Sequence, residues 1–194
     1  MKEHKCNSKE KEIFTRKIEF LDGSKRREDL PPEKLLNLLP MTRTDTILDL
    51  GAGTGYLTIP AAKAVDSLVY ALDRDPNMLE IINTKAQKEN LTNIKAMQAD
   101  IDHIRLSNDS IGIVLASLVL HETKTISKTL QEIKRVLKES GYFVCVEIEK
   151  LDHVNDGPPR ISSSIMEQEI TNAGMDIIQK FFPTDSLYVF IARK

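Results

Sequence analysis

Residues 49–55 read DLGAGTG: an aspartate, one apolar residue, then glycines at alternate positions. Glycines at a strand-to-helix turn let the backbone come close to a ligand, and the helix they open attracts negative charge. Spacing then sorts the ligands. A dinucleotide fingerprint needs glycines at the first, third and sixth positions, and counting from Gly51 the sixth position is Tyr56. A phosphate P-loop needs Lys followed by Ser or Thr at its end, and none follows here. Asp49 closes the strand just before the loop, where a carboxylate sits badly beside a pyrophosphate and well beside a cation. A tight glycine turn with no ligand is the plain alternative. Further along, His121 and Glu122 form an adjacent His–acid pair. Histidine suits a general base near neutral pH, although a His at a helix start also serves as a polar cap or a packing residue.

S-adenosylmethionine fits these demands, since it carries a sulfonium and an ammonium for Asp49 and a carboxylate that can use the loop amides. On these residues the chain resembles the class I S-adenosylmethionine-dependent methyltransferases, whose first motif is an acid, any residue, then Gly-x-Gly-x-Gly. Asp49, Leu50, Gly51, Ala52, Gly53, Thr54 and Gly55 match it without departure. The resemblance implies that Asp73, at the end of the second strand with Arg74 beside it, accepts both ribose hydroxyls. It implies that Asp100 accepts the adenine amino group, that Ile101 covers the ring, and that Ser117 lines the methionine end. The implied cofactor set is thus Asp49, Gly51, Ala52, Gly53, Gly55, Asp73, Arg74, Asp100, Ile101 and Ser117, with His121 as the catalytic candidate. Asp73 and Asp100 also read as turn residues, and Met78 reads either as a side chain against adenine or as core. The segment RVLKESGYFVCVE from Arg135 is similar to the family's RVLKPGG helix end and fifth strand, with Glu139 and Ser140 in place of Pro and Gly. The resemblance covers about residues 31 to 194, and its texture is similar to the small methyltransferases related to those of quinone biosynthesis.

The acceptor is less legible. Residues 116–122, ASLVLHE, lack the Asn or Asp, two prolines and an aromatic that many base and amide N-methyltransferases of the family carry after this strand. We expect a small-molecule acceptor, with a non-catalytic S-adenosylmethionine-binding sensor or partner subunit as the competing reading. The four histidines are scattered and no spacing resembles a zinc site, so no metal is expected. Arsenic methylation, known in related proteins, relies on several thiols, and this chain has only Cys6 and Cys145. The N-terminal region to Leu30 and the loop Leu151 to Ile161 are expected to shape the acceptor pocket, with Arg160 either holding an anionic acceptor or standing in solvent.

Elements must place these residues, and the periodicity supplies them. Thr46–Leu50, Leu68–Leu72, Ile94–Ala99, Ile111–Leu115 and Tyr142–Ile148 read as buried strands. Helices alternate with them: 56–65, a helix opened by Asp75-Pro76 as cap and first residue, and one whose buried face is Ile126, Leu130, Ile133 and Leu137, with Gly141 as its expected C-terminal cap. Alternation means a doubly wound, mostly parallel sheet. At the end, Ser163 or Ser164 caps a helix to Gly174, and Met175–Phe182 and Leu187–Ala192 lie close enough to require an antiparallel hairpin. The expected fold is therefore α/β, a seven-stranded Rossmann-like sheet with an antiparallel C-terminal strand. It forms one domain over residues 31–194, preceded by an arm or flap over residues 1–30, whose first dozen residues fray or form a mobile arm and whose weakly patterned stretch from Ile13 to Leu30 reads as a short helix or a flap. The 194 residues carry 27 Lys plus Arg against 29 Asp plus Glu, and the pI is about 6.1. Such a balance argues against a nucleic-acid partner, which rewards a basic excess. The longest apolar stretch, Ile111 to Leu120, is far shorter than the roughly 20 residues a membrane span needs. Two cysteines and no signal sequence point to a cytoplasmic protein, of undetermined oligomeric state.

Overall fold

The computed structural model describes residues 8–150 and 159–194. Its elements run α1 (Ser8–Asp22), α2 (Ser24–Asp29), α3 (Pro32–Leu36), β1 (Ile47–Leu50), α4 (Thr58–Ala64), β2 (Val69–Asp73), α5 (Pro76–Lys88), β3 (Ile94–Gln98) and β4 (Ile111–Ser117). A 3-10 turn (Leu120–Glu122) follows, then α6 (Ile126–Val136), β5 (Leu137–Ile148), α7 (Ser163–Asn172), β6 (Asp176–Thr184) and β7 (Leu187–Arg193). The seven strands form one sheet in the order β3-β2-β1-β4-β5-β7-β6. β1 pairs in parallel with both β2 and β4, and β7 runs antiparallel to both β5 and β6. This is the expected class I methyltransferase-like topology. The order turns back between β1 and β4, and open α/β sheets bind ligands beyond the carboxyl ends of strands at such a point.

Side chains of β1 divide between two cores, as a period of two requires. Leu48 and Leu50 join one apolar cluster with Val114, Ala116, Phe143 and Phe190. Ile47 joins the other with Leu115, Val144, Val146 and Ile191. Asp49 shares the parity of Ile47 but lies at the strand's carboxyl end, where the core opens. Asp75 caps α5 as its sequence foretells: it is extended, and its side chain accepts from the Asn77 amide at 2.9 Å. α6 buries Thr129, Leu130, Ile133 and Val136, the face that the 3.6-residue period selects.

Four expectations need correction or completion. Gly141 does not cap α6. That helix ends at Val136, Leu137 turns extended into β5, and the left-handed residue is Ser140, at φ +65°. Gly141 is small for another reason: a Cβ there would meet the carbonyl oxygens of Lys138 and Gly112 at 2.8 and 3.0 Å. The cap of α7 is Ser162, whose hydroxyl accepts from the Ile165 amide, rather than Ser163 or Ser164. Over its described residues the N-terminal region holds two helices, α1 and α2, where a short helix or a flap was expected. α1 has few apolar side chains to bury and gains an i,i+4 Glu12–Arg16 pair in the favourable orientation. The expected acceptor loop from Leu151 lies outside the described residues as far as Pro158. Arg160, which is described, is not among the residues that line the cavity below.

Candidate functional site

A cavity opens at the carboxyl ends of β1, β2 and β4, beneath α1 and α2. Of the sequence-predicted cofactor residues it brings together Asp49, Gly51, Ala52, Gly53, Asp73, Arg74, Asp100, Ile101 and Ser117. Gly55 is not in its wall. That glycine serves the turn instead, at φ +84°, and a Cβ on it would press on Ile82 and Ile59.

The glycine loop is shaped by close approach. Gly51 sits at φ +69°, and a Cβ there would lie 2.3 Å from Val119 Cγ2. The loop after β1 thus interlocks with the loop after β4. Four of its amides are already committed. Those of Gly51 and Ala52 both donate to the Leu72 carbonyl at 2.8 and 2.9 Å, and that of Gly55 donates to Ala52. The Gly53 amide donates to Asp73 Oδ2 at 2.8 Å. These four donors face inward or onto Asp73.

Three acids stand at three neighbouring strand ends. Asp49 is buried, with Oδ2 accepting from Thr58 Oγ1 at 2.6 Å. Burial pushes its pKa up to about 6, against the Thr58 hydrogen bond and the charge of Arg26. Asp73 accepts the Asp75 amide on Oδ1 at 2.9 Å and the Gly53 amide on Oδ2. Each oxygen keeps a free lone pair, so the carboxylate is aimed and still able to take a vicinal diol. Asp100 accepts the Asp102 amide at 3.0 Å, which fixes the turn that carries Ile101 into the wall. Three carboxylates therefore lie in sequence along one cavity.

His121 and Glu122 separate. The His121 side chain is 7% exposed, and its Nδ1 lies 2.8 Å from Glu147 Oε2 on β5. It is not in the cavity wall, whereas Glu122 is, paired with Arg74 at 2.9 Å. Glu147 is fully buried and also accepts the Leu120 amide at 2.7 Å. Together these contacts pin the turn after β4, where Leu118 is held at φ +58°. A branched side chain in that region costs of order 1–3 kcal/mol and persists only where its surroundings impose it. Met78 is wholly buried core.

The methyltransferase domain family matches residues 42–181, most of the chain. The chain belongs to the class I S-adenosylmethionine-dependent methyltransferases. S-adenosylmethionine is accordingly its cofactor, and the donor set above suits that molecule. The chain is 38% identical over 104 residues to the methyltransferase YodH of Bacillus subtilis, covering 52% of this chain and 42% of that protein. It is 36% identical over 104 residues to the demethylmenaquinone methyltransferase of Lactococcus lactis, covering 53% and 41%. The matched part thus spans about two fifths of the length of these curated relatives. Among solved structures, an S-adenosylmethionine-dependent methyltransferase from Aquifex aeolicus superposes with a TM-score of 0.81 at 26% identity, covering 92% of this chain and 97% of the other. Methyltransferases similar to this chain are named for acceptors as different as demethylmenaquinone and ribosomal RNA, so membership does not itself name an acceptor.

The cavity of this methyltransferase has wall residues that the sequence did not flag. Lys17 and Leu21 of α1, Arg26 of α2, Tyr56, Leu118, Val119 and Lys124 all line the cavity. Arg26 lies in a charged run, SKRRED, that reads as a solvated helix face. Its guanidinium instead stacks 3.9 Å above the Tyr56 ring and donates to Ser117 Oγ at 3.0 Å. Contacts spanning 91 residues leave no local pattern. Among the described residues no group of three or more His, Cys, Asp or Glu side chains could hold a metal ion, and no helix is long and apolar enough to cross a membrane.

Proposed function

We propose that the protein transfers a methyl group from S-adenosylmethionine to a small-molecule acceptor by in-line displacement. The observation that carries this reading is the row of acids at the ends of β1, β2 and β3, beside a glycine loop locked onto the turn after β4. The cofactor supplies an electrophilic methyl on a good leaving group, so the chain's task is alignment and exclusion of water. Asp49 faces the ammonium, and its buried carboxylate is made whole as an ion by that charge. Asp73, steered by two backbone amides, holds the ribose hydroxyls, with Arg74 at the rim. Asp100 takes the adenine amino group and Ile101 covers the ring. Gly51, Ala52 and Gly53 let the cofactor lie against the backbone, and Ser117 borders its methionine end.

Of the adjacent His–acid pair it is Glu122 that reaches the wall, paired with Arg74, since His121 is turned toward Glu147. A small acceptor is favoured because α1 and α2 roof the cavity and, among the described residues, its rim mixes Lys17, Lys124 and Arg74 with Glu122 rather than forming a basic track for a nucleic acid. Incubation with methyl-labelled S-adenosylmethionine tests this. Label entering small quinol, phenol or carboxylate acceptors supports the reading. Label entering only RNA or protein overturns the acceptor class, and no turnover across all three favours the non-catalytic binder.

A further inference from the structure

β3 ends at Gln98 and β4 begins at Ile111, and the chain between them has neither helix nor strand. This stretch carries Asp100, Ile101 and Asp102 into the cavity wall. Asp100 lies past Gln98, the last residue of β3 in register with β2, so the sheet does not hold its carboxylate in place. The anchors come from α6. Thr129 is fully buried, and its hydroxyl donates to Asp102 Oδ1 at 2.5 Å, with the Thr125 carbonyl of its own helix farther off at 3.3 Å. Further along the helix, Arg135 engages all five of its N–H donors. Nε and Nη2 grip the two oxygens of Glu132 at 2.8 and 2.9 Å. Nη2 also donates to the Ile104 carbonyl at 2.8 Å, and Nη1 donates to the Leu106 carbonyl at 2.9 Å and to Asn108 Oδ1 at 2.8 Å. Ile104 packs in one apolar cluster with Leu130, Ile133 and Val136 of the same helix. At the loop's exit the Asp109 and Ser110 amides donate to the carbonyls of Arg135 and Val136 at 3.1 and 2.9 Å. The loop is thus fastened along α6 from Thr129 to Val136. Neither Thr129 nor Arg135 is in the cavity wall.

We propose that Thr129 and Arg135 are positioning residues for recognition of the cofactor's base: from α6, and without touching the ligand, they set how strongly Asp100 selects the adenine amino group. This role rests on Asp100 taking that group. The chain of bonds is short. Thr129 holds Asp102 by its carboxylate, and the Asp102 amide donates to Asp100 Oδ1 at 3.0 Å. Among the described residues Asp100 Oδ2 has no protein partner, which leaves it to accept from the base. Hydrogen bonds weaken steeply as their geometry departs from the ideal, and a recognition group works only when held to within about 0.5 Å. Arg135 fixes the next stretch of the loop by two carbonyls, so Asp102 cannot swing with it. A loop without these ties carries the carboxylate away from the amino group. It loses the preference for adenine before it loses the rest of the site, because Asp49, Asp73 and the glycine loop belong to β1, β2 and the turn between β1 and α4.

The test titrates two ligands into the full chain by calorimetry: S-adenosylhomocysteine, and its analogue with unsubstituted purine as the base, which lacks only the amino group. The wild type should bind S-adenosylhomocysteine about 10–100-fold more tightly than the purine analogue, the range of a hydrogen bond to a charged group. Thr129→Val keeps nearly the same shape and removes the donor. Arg135→Lys keeps the charge and cannot span the two carbonyls with one fork. In each variant the preference should fall below about 5-fold, while affinity for the purine analogue stays within about 2-fold of the wild type. Thr129→Ser, which keeps the hydroxyl, should retain the wild-type preference. Both ligands meet the same folded variant, so a loss of stability alone leaves their ratio unchanged. An unchanged preference in Thr129→Val or Arg135→Lys, whether or not both affinities fall together, would overturn the role of that residue and leave the cofactor in place. Equal binding of the two ligands by the wild type would remove Asp100 from the amino group, and the role of α6 with it. A wild type that binds neither ligand would remove the cofactor placement itself.

Discussion

The floor and the roof of this cavity are made in opposite ways. The floor is the row of strand ends that carries Asp49, Asp73 and Asp100, with the glycine loop between β1 and α4. Its central strand β1 is buried on both faces, four of its loop amides are committed, and a glycine in it is touched by the side chain of another loop. The roof is α1–α2, which has many charges, little buried surface and side-chain contacts in place of a core. The comparison teaches that rigidity is placed where the cofactor must be aligned, and polar, separable contacts where a ligand must enter.

The largest way to break the floor is at Gly51. Alanine there adds a left-handed penalty of about 1–2 kcal/mol and forces Val119 aside, a clash of about 1–3 kcal/mol. Gly51→Ala should therefore lose about 2–5 kcal/mol in chemical denaturation and lose cofactor binding as well. A variant as stable as the wild type would show that the two loops do not interlock.

Next in size is the buried charge of Asp49. Its folded pKa is raised from 3.8 to about 6, mainly by burial. A raised folded pKa means that the folded protein holds the proton more tightly than the unfolded chain. The contribution to stability is full below about pH 3.8 and is lost as pH rises through about 6. At about 1.4 kcal/mol per pKa unit the protein without ligand gives up about 2–4 kcal/mol at neutral pH, which a ligand's ammonium restores. Affinity for S-adenosylhomocysteine should thus rise between pH 5 and 7 with a midpoint near 6, and Asp49→Asn should flatten that rise. A wild-type profile flat across this range would remove Asp49 from the ammonium site.

A smaller effect separates His121 from the chemistry. Glu147→Ala leaves the Leu120 amide and the His121 ring without their buried partner, which costs about 1–3 kcal/mol, seen as a lowered urea midpoint. His121→Ala should destabilise through the same contact and leave the pH dependence of turnover unchanged. A pH profile of turnover that changes in that variant would restore His121 as a base. At the bottom of the scale, Arg16→Ala on the roof removes an exposed pair and should change stability by less than about 1 kcal/mol.

What was legible in the sequence follows the same division. The floor could be read because its constraints are local: an acid ending an apolar run, glycines at fixed intervals, Asp75-Pro76 opening a helix. The β7 hairpin could be read from the short turn between two apolar runs. The roof could not, because the positions of Arg26, Tyr56 and Ser117 are joined only in space, and a run such as SKRRED has the composition of any solvated helix. His121 failed for a related reason. Adjacent residues on a tight turn point to different sides, and the partner that decides which one turns inward, Glu147, lies 26 residues further on. Gly141 failed because a glycine needed for close approach looks, in sequence, like one needed for a left-handed cap.

The most direct test of the central claim, that S-adenosylmethionine lies along the strand ends with its ribose on Asp73, is a calorimetric titration of S-adenosylhomocysteine into the wild type and Asp73→Ala. The account predicts binding to the wild type, affinity lower by about 10–100-fold in the variant, and no binding of NAD by either. Equal affinity in the two proteins, or a wild type that binds NAD and not S-adenosylhomocysteine, would contradict it.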